Sequence, residues 1–191
     1  MKKQGLLVII SSPSGGGKDS VITALLRKIT NSTRLITTTS KERRPDNIDG
    51  VNYYFITEDE FKDKIRNNEF IEYNIYSNNY YGTQKKHLQE TLDNNDVVFT
   101  QLEVNGKHNL DKLKVPHLSI FLLPDNLDIL RKRIEKRGGL TTKQINDRIE
   151  IAKQEIANSY DYDYKITNEE GKLDNTINTI TEVVQNELKK T

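Results

Sequence analysis

The chain has 191 residues, 30% of them charged and 34% hydrophobic, with a formal net charge of +1. That length supports one core of ordinary size with small appended regions. No apolar run reaches the roughly 20 residues that cross a bilayer, and the near-neutral charge supplies no bulk attraction to nucleic acid or to a membrane surface. With no cysteine, disulfides and thiolate metal centres are excluded. His87, His108 and His117 are scattered, with no pair at the helical spacing of a metal site.

Met1-Lys2-Lys3 looks like the basic end of a signal peptide. The apolar stretch Leu6-Leu-Val-Ile-Ile10 that follows is short and runs into a Gly-rich loop, so it reads as a buried strand. Val21, Ile22, Leu25, Leu26 and Ile29 then recur at helical spacing. Residues 37–92 break the rhythm with Tyr, Asn, Arg and Lys and short alternating pieces such as Val51-Asn-Tyr-Tyr-Phe55. They keep aromatic and aliphatic anchors throughout and read as an inserted lobe. Val97-Val98-Phe99, running on towards Leu102, is a second strand, and Leu118-Ser-Ile-Phe-Leu-Leu123 a third. A helix through Leu127, Leu130 and Ile134 follows, with Asp125 as its expected cap. Ile145, Ile149, Ala152 and Ile156 mark another helix, on which Glu155 reads as a salt-bridge partner. Asp161 and Asp163 are expected to help end it. A short strand at Tyr164-Lys-Ile166 precedes the last helix, marked by Leu173, Ile177, Ile180, Val184 and Leu188. Unbroken aliphatic strands alternating with helices predict an α/β fold, a mostly parallel sheet covered by helices on both faces.

The segment richest in chemistry is Ile9-Ile-Ser-Ser-Pro-Ser-Gly-Gly-Gly-Lys-Asp-Ser20. A buried strand leads into a Gly-rich loop, a lysine and an amphipathic helix. Glycines let successive backbone N–H groups point at one phosphate, and the helix N-terminus adds its partial positive charge. Ser12, Pro13, Ser14, Gly15, Gly16, Gly17, Lys18, Asp19 and Ser20 are therefore expected to hold ATP, with Lys18 reaching its β- and γ-phosphates. The match to Gly-x-x-x-x-Gly-Lys-[Ser/Thr] has two departures. Ser12 stands at the first glycine, and Asp19 at the magnesium-binding hydroxyl, which leaves Ser20 as the nearest hydroxyl for Mg²⁺.

With the later motifs added, the chain resembles a guanylate kinase of the P-loop nucleoside monophosphate kinase family. Ser11-Ser-Pro-Ser-Gly-Gly-Gly-Lys18 is similar to that family's phosphate loop. Thr37-Thr-Thr-Ser-Lys-Glu-Arg-Arg-Pro45 and Asp49-Gly-Val-Asn-Tyr-Tyr-Phe55 resemble its GMP-phosphate segment. Glu69-Phe-Ile-Glu-Tyr73 and Asn79-Tyr-Tyr-Gly-Thr83 resemble its guanine-binding segment. Glu103-Val-Asn-Gly106 sits where the family has an Asp-x-Gln-Gly turn. Arg133, Arg137-Gly138 and Arg148 fall in its lid, and Tyr162-Asp-Tyr164 and Asn168 in its closing strand.

The resemblance implies a core of residues 1–36 and 93–191, with a lid at about 136–150, and an inserted GMP-binding lobe at 37–92. It further implies that Lys41, Arg44, Tyr53 and Tyr81 hold the acceptor phosphate and that Thr37, Glu72, Thr83 and Glu103 surround the base. Lys18, Arg44, Arg137 and Arg148 would be the catalytic charges. The substrates would be ATP and GMP, the cofactor Mg²⁺ and the location the cytoplasm, with no nucleic-acid or membrane partner. An ionised carboxylate such as Glu72 can accept from guanine N1–H and N2–H but meets an unprotonated N1 on adenine, which builds in a penalty against AMP. Tyr80 is expected to pack instead. The family's usual arginine is replaced by Lys41, its usual aspartate by Glu103, and a commonly acidic position by Gln101. Asp19 can either attract Mg²⁺ through water or repel ATP. Two other readings fit the same residues: a kinase of this fold with another phosphorylated acceptor, and a guanylate-kinase-like module that has lost catalysis and binds a phosphorylated protein.

Overall fold

The computed structural model describes residues 4–76, 78–136 and 138–190. Its centre is a five-stranded sheet of β1 (Leu6–Ser11), β2 (Ser32–Arg34), β7 (Val97–Gln101), β8 (Leu118–Leu123) and β9 (Tyr164–Thr167), in the order β2-β7-β1-β8-β9. All four pairings are parallel, with Val8 opposite Phe99 on one side of β1 and Leu118 on the other. β1 is unbroken in apolar character because both its faces are covered. Val8 and Ile10 point into a cluster with Val21, Ile22 and Leu25 of α1 (Lys18–Lys28) and Ile177, Ile180 and Val184 of α7 (Leu173–Lys190). Leu7 and Ile9 point the other way, against Leu88 and Leu92 of α3 (Lys85–Asn94) and Leu110 of α4 (Val104–Lys112).

A second, four-stranded sheet has the order β4-β3-β6-β5, built from β3 (Thr38–Thr39), β4 (Tyr54–Phe55), β5 (Phe70–Tyr76) and β6 (Asn79–Gln84). The long pairing is the antiparallel β5–β6, which sets Glu72 opposite Thr83. This sheet packs on α2 (Glu58–Arg66), which starts at a capping box in which Thr57 and Glu60 satisfy each other's backbone N–H. Phe61 of α2 is fully buried, stacked on Phe70 at 4.2 Å and tilted against Tyr80 at 5.2 Å. Tyr80 is thus a packing residue, as expected.

Two local expectations need correction, and one element went unassigned. The cap of α5 (Leu127–Lys136) is Asn126, whose Oδ1 accepts from the Ile129 N–H at 2.9 Å. Asp125 instead accepts from the Glu170 N–H at 2.9 Å. Asp161 and Asp163 do not end α6 (Thr142–Ala157). Asp161 pairs with His108 and Lys107 on α4, and Asp163 accepts from the Ser119 N–H and hydroxyl on β8. Residues 104–112 form α4, whose Asn- and Gly-containing sequence carries a weak helical pattern. Among the described residues, no helix is long and apolar enough to cross a membrane.

Candidate active site

The sheet order places β1 where the chain turns to opposite sides, so the loop leaving its carboxyl end opens into the crevice where α/β folds bind ligands. That loop is residues 12–17, and its curl depends on small residues. Gly17 adopts φ 92°, in the left-handed region, and a Cβ there would stand 2.6 Å from the Asn168 side chain. A Cβ on Gly16 would overlap the Ser12 side chain, so serine at the first glycine position is tolerated because Gly16 lacks one. Asn168 braces the loop from β9's end by donating to the Gly16 carbonyl at 3.0 Å, and is itself bound by the Thr176 hydroxyl at 3.2 Å. Ser11 at the loop's root accepts from the Tyr162 hydroxyl at 2.7 Å and donates to the Leu102 carbonyl at 2.6 Å. Burial pushes the Tyr162 phenol pKa up, so it remains a neutral donor.

Lys18 opens α1, whose N-cap is Gly17, a residue with no side chain to cap the first N–H groups. Its ammonium donates to the Ser12 carbonyl at 2.7 Å and to the Ser12 hydroxyl at 3.1 Å, which keeps it over the loop. Arg148 of α6 donates to the Ser14 hydroxyl at 3.2 Å, bringing a second cation to the same loop. Arg137 lies outside the described residues. Gly138 and Gly139, in the turn between α5 and α6, have φ 69° and 75° with nothing near their missing Cβ positions. α6 leans on α5 through Ile145, Ile149 and Ala152 against Leu130 and Ile134.

Beside the loop lies a cavity of about 570 Å³ between the two sheets. Thr37, Tyr53, Glu72, Tyr81 and Glu103 line it together. Thr83 is buried behind Glu72 and donates to its Oε1 at 2.7 Å. Burial raises the Glu72 pKa against the Thr83 hydrogen bonds, helped by the charge of Glu103. The Tyr53 and Tyr81 rings meet edge to face at 5.9 Å. Glu103 is bound by Asn74 at 3.3 Å, a contact from the mixed sheet to the start of α4. Lys41 and Arg44 are on the segment joining β3 to β4 and do not line the cavity; Arg44 is exposed, and its carbonyl accepts from the Asn47 N–H in a turn.

Sequence reasoning missed several residues here. Arg34, Asn52 and Asn105 also line the cavity. Arg34 ends an edge strand too short to show a pattern, and asparagines in a chain rich in them carry no signal. Glu155 is not a helix ion-pair partner: among the described residues it makes no salt bridge. Its pKa is pushed up to about 7 by burial, which outweighs the attraction of Lys18, and Glu103 pushes in the same direction as burial. The expected donor and acceptor residues meet at Asp19, next to Lys18, whose Oδ1 accepts from Gln101 at 2.7 Å and Arg34 at 3.0 Å. Burial pushes the Asp19 carboxyl up, but those two hydrogen bonds and the charges of Arg34 and Lys18 outweigh it and hold its pKa below the usual range.

The chain as a whole has relatives among known proteins. Residues 4–187 match the guanylate kinase family profile. The guanylate kinase of Rickettsia bellii is 38% identical over 189 residues, spanning 99% of this chain and 98% of its own. That of Streptococcus pneumoniae is 41% identical over 175 residues, spanning 91% of this chain and 84% of its own. The crystal structure of guanylate kinase from Anaplasma phagocytophilum superposes with a TM-score of 0.74 at 25% identity, covering 98% of this chain and 88% of that one. On a family match that runs almost end to end, over a fold that joins a phosphate loop to a carboxylate-lined cavity, the chain belongs to the guanylate kinase family.

Proposed function

We propose that the protein transfers the γ-phosphoryl group of ATP to GMP, giving ADP and GDP, in the cytoplasm. The observation that carries this reading is the adjacency of two different binders. A phosphate loop with Lys18 lies directly beside a cavity in which Glu72, backed by Thr83, faces Thr37, Tyr53, Tyr81 and Glu103. Glu72 accepts from guanine N1–H and N2–H, and the Thr83 hydroxyl holds that carboxylate in place from behind. Tyr53 and Tyr81 offer neutral donors to the acceptor phosphate, to which Lys41 and Arg44 add charge when their segment folds inward. dGMP fits the same set, because none of these roles uses the 2′-hydroxyl.

Phosphoryl transfer passes through a loose, charge-spread transition state, so positioning and positive charge do most of the work. The attacking GMP oxygen is already ionised near neutral pH and needs no general base. Lys18 moves from the Ser12 oxygens to the β- and γ-phosphates, and Arg148 and Arg137 meet the transferring group from the lid. Closure of the lid (136–150) and of the lobe (37–92) excludes water as a competing acceptor.

The Ser20 hydroxyl and the Asp19 carboxylate, in the first turn after the loop, are oxygen donors that suit Mg²⁺, which binds through few protein ligands and substrate phosphates. Among the described residues, no three His, Cys, Asp or Glu side chains converge on a resident site, so the donor set fits a cation carried in by ATP. Bound there, Mg²⁺ would neutralise charge on the ATP phosphates.

An ADP-release assay with GMP, dGMP, AMP, CMP and UMP tests the proposal. The expected outcome is turnover with the two guanine nucleotides and roughly 10⁴-fold less with the others, the scale on which a hydrogen-bonding site rejects a ligand that leaves its polar groups unpaired. ATP consumption with none of them sinks it.

A further inference from the structure

We propose that Asp19, fixed by Gln101 and Arg34, is a positioning residue for the magnesium that arrives with ATP, its free oxygen accepting from a magnesium-bound water. The inference rests on the kinase reading and extends it.

Asp19 lies in the first turn of α1, one residue after Lys18, at the mouth of the phosphate loop. Both of its hydrogen bonds fall on one oxygen: Gln101 Nε2 at 2.7 Å and Arg34 Nη2 at 3.0 Å reach Oδ1. Among the described residues, Oδ2 has no hydrogen-bond partner. The two donors come from the ends of β7 and β2, neighbouring strands, so the carboxylate is held from the rigid sheet as well as from its own helix. Its side chain is 74% exposed, open to a hydrated ion. Mg²⁺ gives up its water reluctantly and is commonly held at one remove through those waters. An oriented, ionised carboxylate with a spare lone pair is the acceptor such a water needs.

The geometry also settles how the two unusual residues of this site relate. Gln101 is neutral, and Asp19 carries the charge. They touch, so a carboxylate is retained in this corner but sits on the helix side of the hydrogen bond. Arg34 offsets part of the repulsion that Asp19 would exert on ATP.

The test is Mn²⁺ binding, followed by electron paramagnetic resonance, to the full chain with a non-hydrolysable ATP analogue. Asp19→Asn should weaken Mn²⁺ in that complex by about tenfold, the lower end of what loss of an outer-sphere partner does. Affinity for the metal-free analogue should hold or improve, since a negative charge has gone. The double variant Asp19→Asn with Gln101→Glu keeps the hydrogen bond with its polarity reversed and should recover most of the Mn²⁺ affinity. The inference is overturned if Asp19→Asn binds Mn²⁺ like the unaltered chain, if it loses metal-free analogue equally, or if the double variant recovers nothing. Failure of the kinase reading shows separately, as absence of ATP consumption by the unaltered chain with GMP. Asp19 is exposed and Gln101, half-buried, belongs to none of the hydrophobic clusters, so neither variant disturbs the core.

Discussion

Glu72 and Glu155 are both carboxyls pushed up by burial, yet their surroundings give them different tasks. Glu72 has the Thr83 hydroxyl behind it and a cavity in front, the setting of a group that waits for hydrogen-bond donors. Glu72→Ala should raise the GMP KM by at least ~30-fold, from loss of a charge-assisted contact of about 2 kcal/mol, with little effect on ATP binding. Equal loss for both nucleotides, measured by titration calorimetry, contradicts a base-reading role. Glu155 faces Lys18 and Glu103 from α6, and its folded-state pKa of about 7 exceeds the ordinary 4.5. Between those values the folded chain holds the extra proton, so this residue's contribution to stability falls as pH rises, and the cost is complete above about pH 7. Glu155→Gln should therefore leave stability unchanged at pH 4 and raise it by roughly 1 kcal/mol at pH 8, after allowance for solvent screening. Urea melts at the two pH values decide it; an equal effect at both would mean that Glu155 does not titrate near neutrality.

At the level of elements, legibility followed burial. β1 and β8 announce themselves because both faces are covered, so all but one residue of each, Ser11 and Ser119, are apolar. β2 carries Ser-Thr-Arg and pairs on one side only, so nothing in its composition marks it as a strand. β3 and β4 have two residues each, too few for any period to register. α4 hides behind Asn105, Gly106 and Asn109, and only Val104, Lys107 and Leu110 turn inward. The Gly-rich loop at residues 12–18 was readable from its chemistry, and Thr37, Tyr53, Glu72, Tyr81 and Glu103, which line one cavity, were singled out by resemblance to a family. Arg34 was not, because it becomes part of the site only when β2 meets β7. The mixed sheet relies on one aromatic stack, Phe61 on Phe70. Phe61→Ala should cost about 3–5 kcal/mol, read as a lower denaturation midpoint, and GMP binding should fail before ATP binding does. A loss under about 1 kcal/mol, the level of a tolerated swap, would show that the stack does not hold this sheet together.

For the molecule as a whole, the Gly-rich loop's helix and the cavity share a seam at Asp19, Gln101 and Arg34, and Asn74 to Glu103 ties the second sheet to the core across that cavity. Ligands on either side of such a seam should feel each other. ATP analogue or GMP alone, at about a hundred times its dissociation constant, should add about 2.7 kcal/mol to stability by mass action. The two together should add more than the sum if closure joins the sites. Strict additivity in calorimetric melts would mean that they bind independently.

β2 and β7 are hydrogen-bonded neighbours running the same way, although residues 35–96 separate them along the chain. The ladder between Ser32 and Val97 therefore makes no demand on what the intervening stretch contains, provided that it leaves one strand and returns to the next. A different excursion could be grafted between Leu35 and α3, whose Leu88 and Leu92 cover β1, leaving the central sheet and its Gly-rich loop as they are. The architecture thus separates the question of what is phosphorylated from the question of how, and lets a lineage revise one answer without reopening the other.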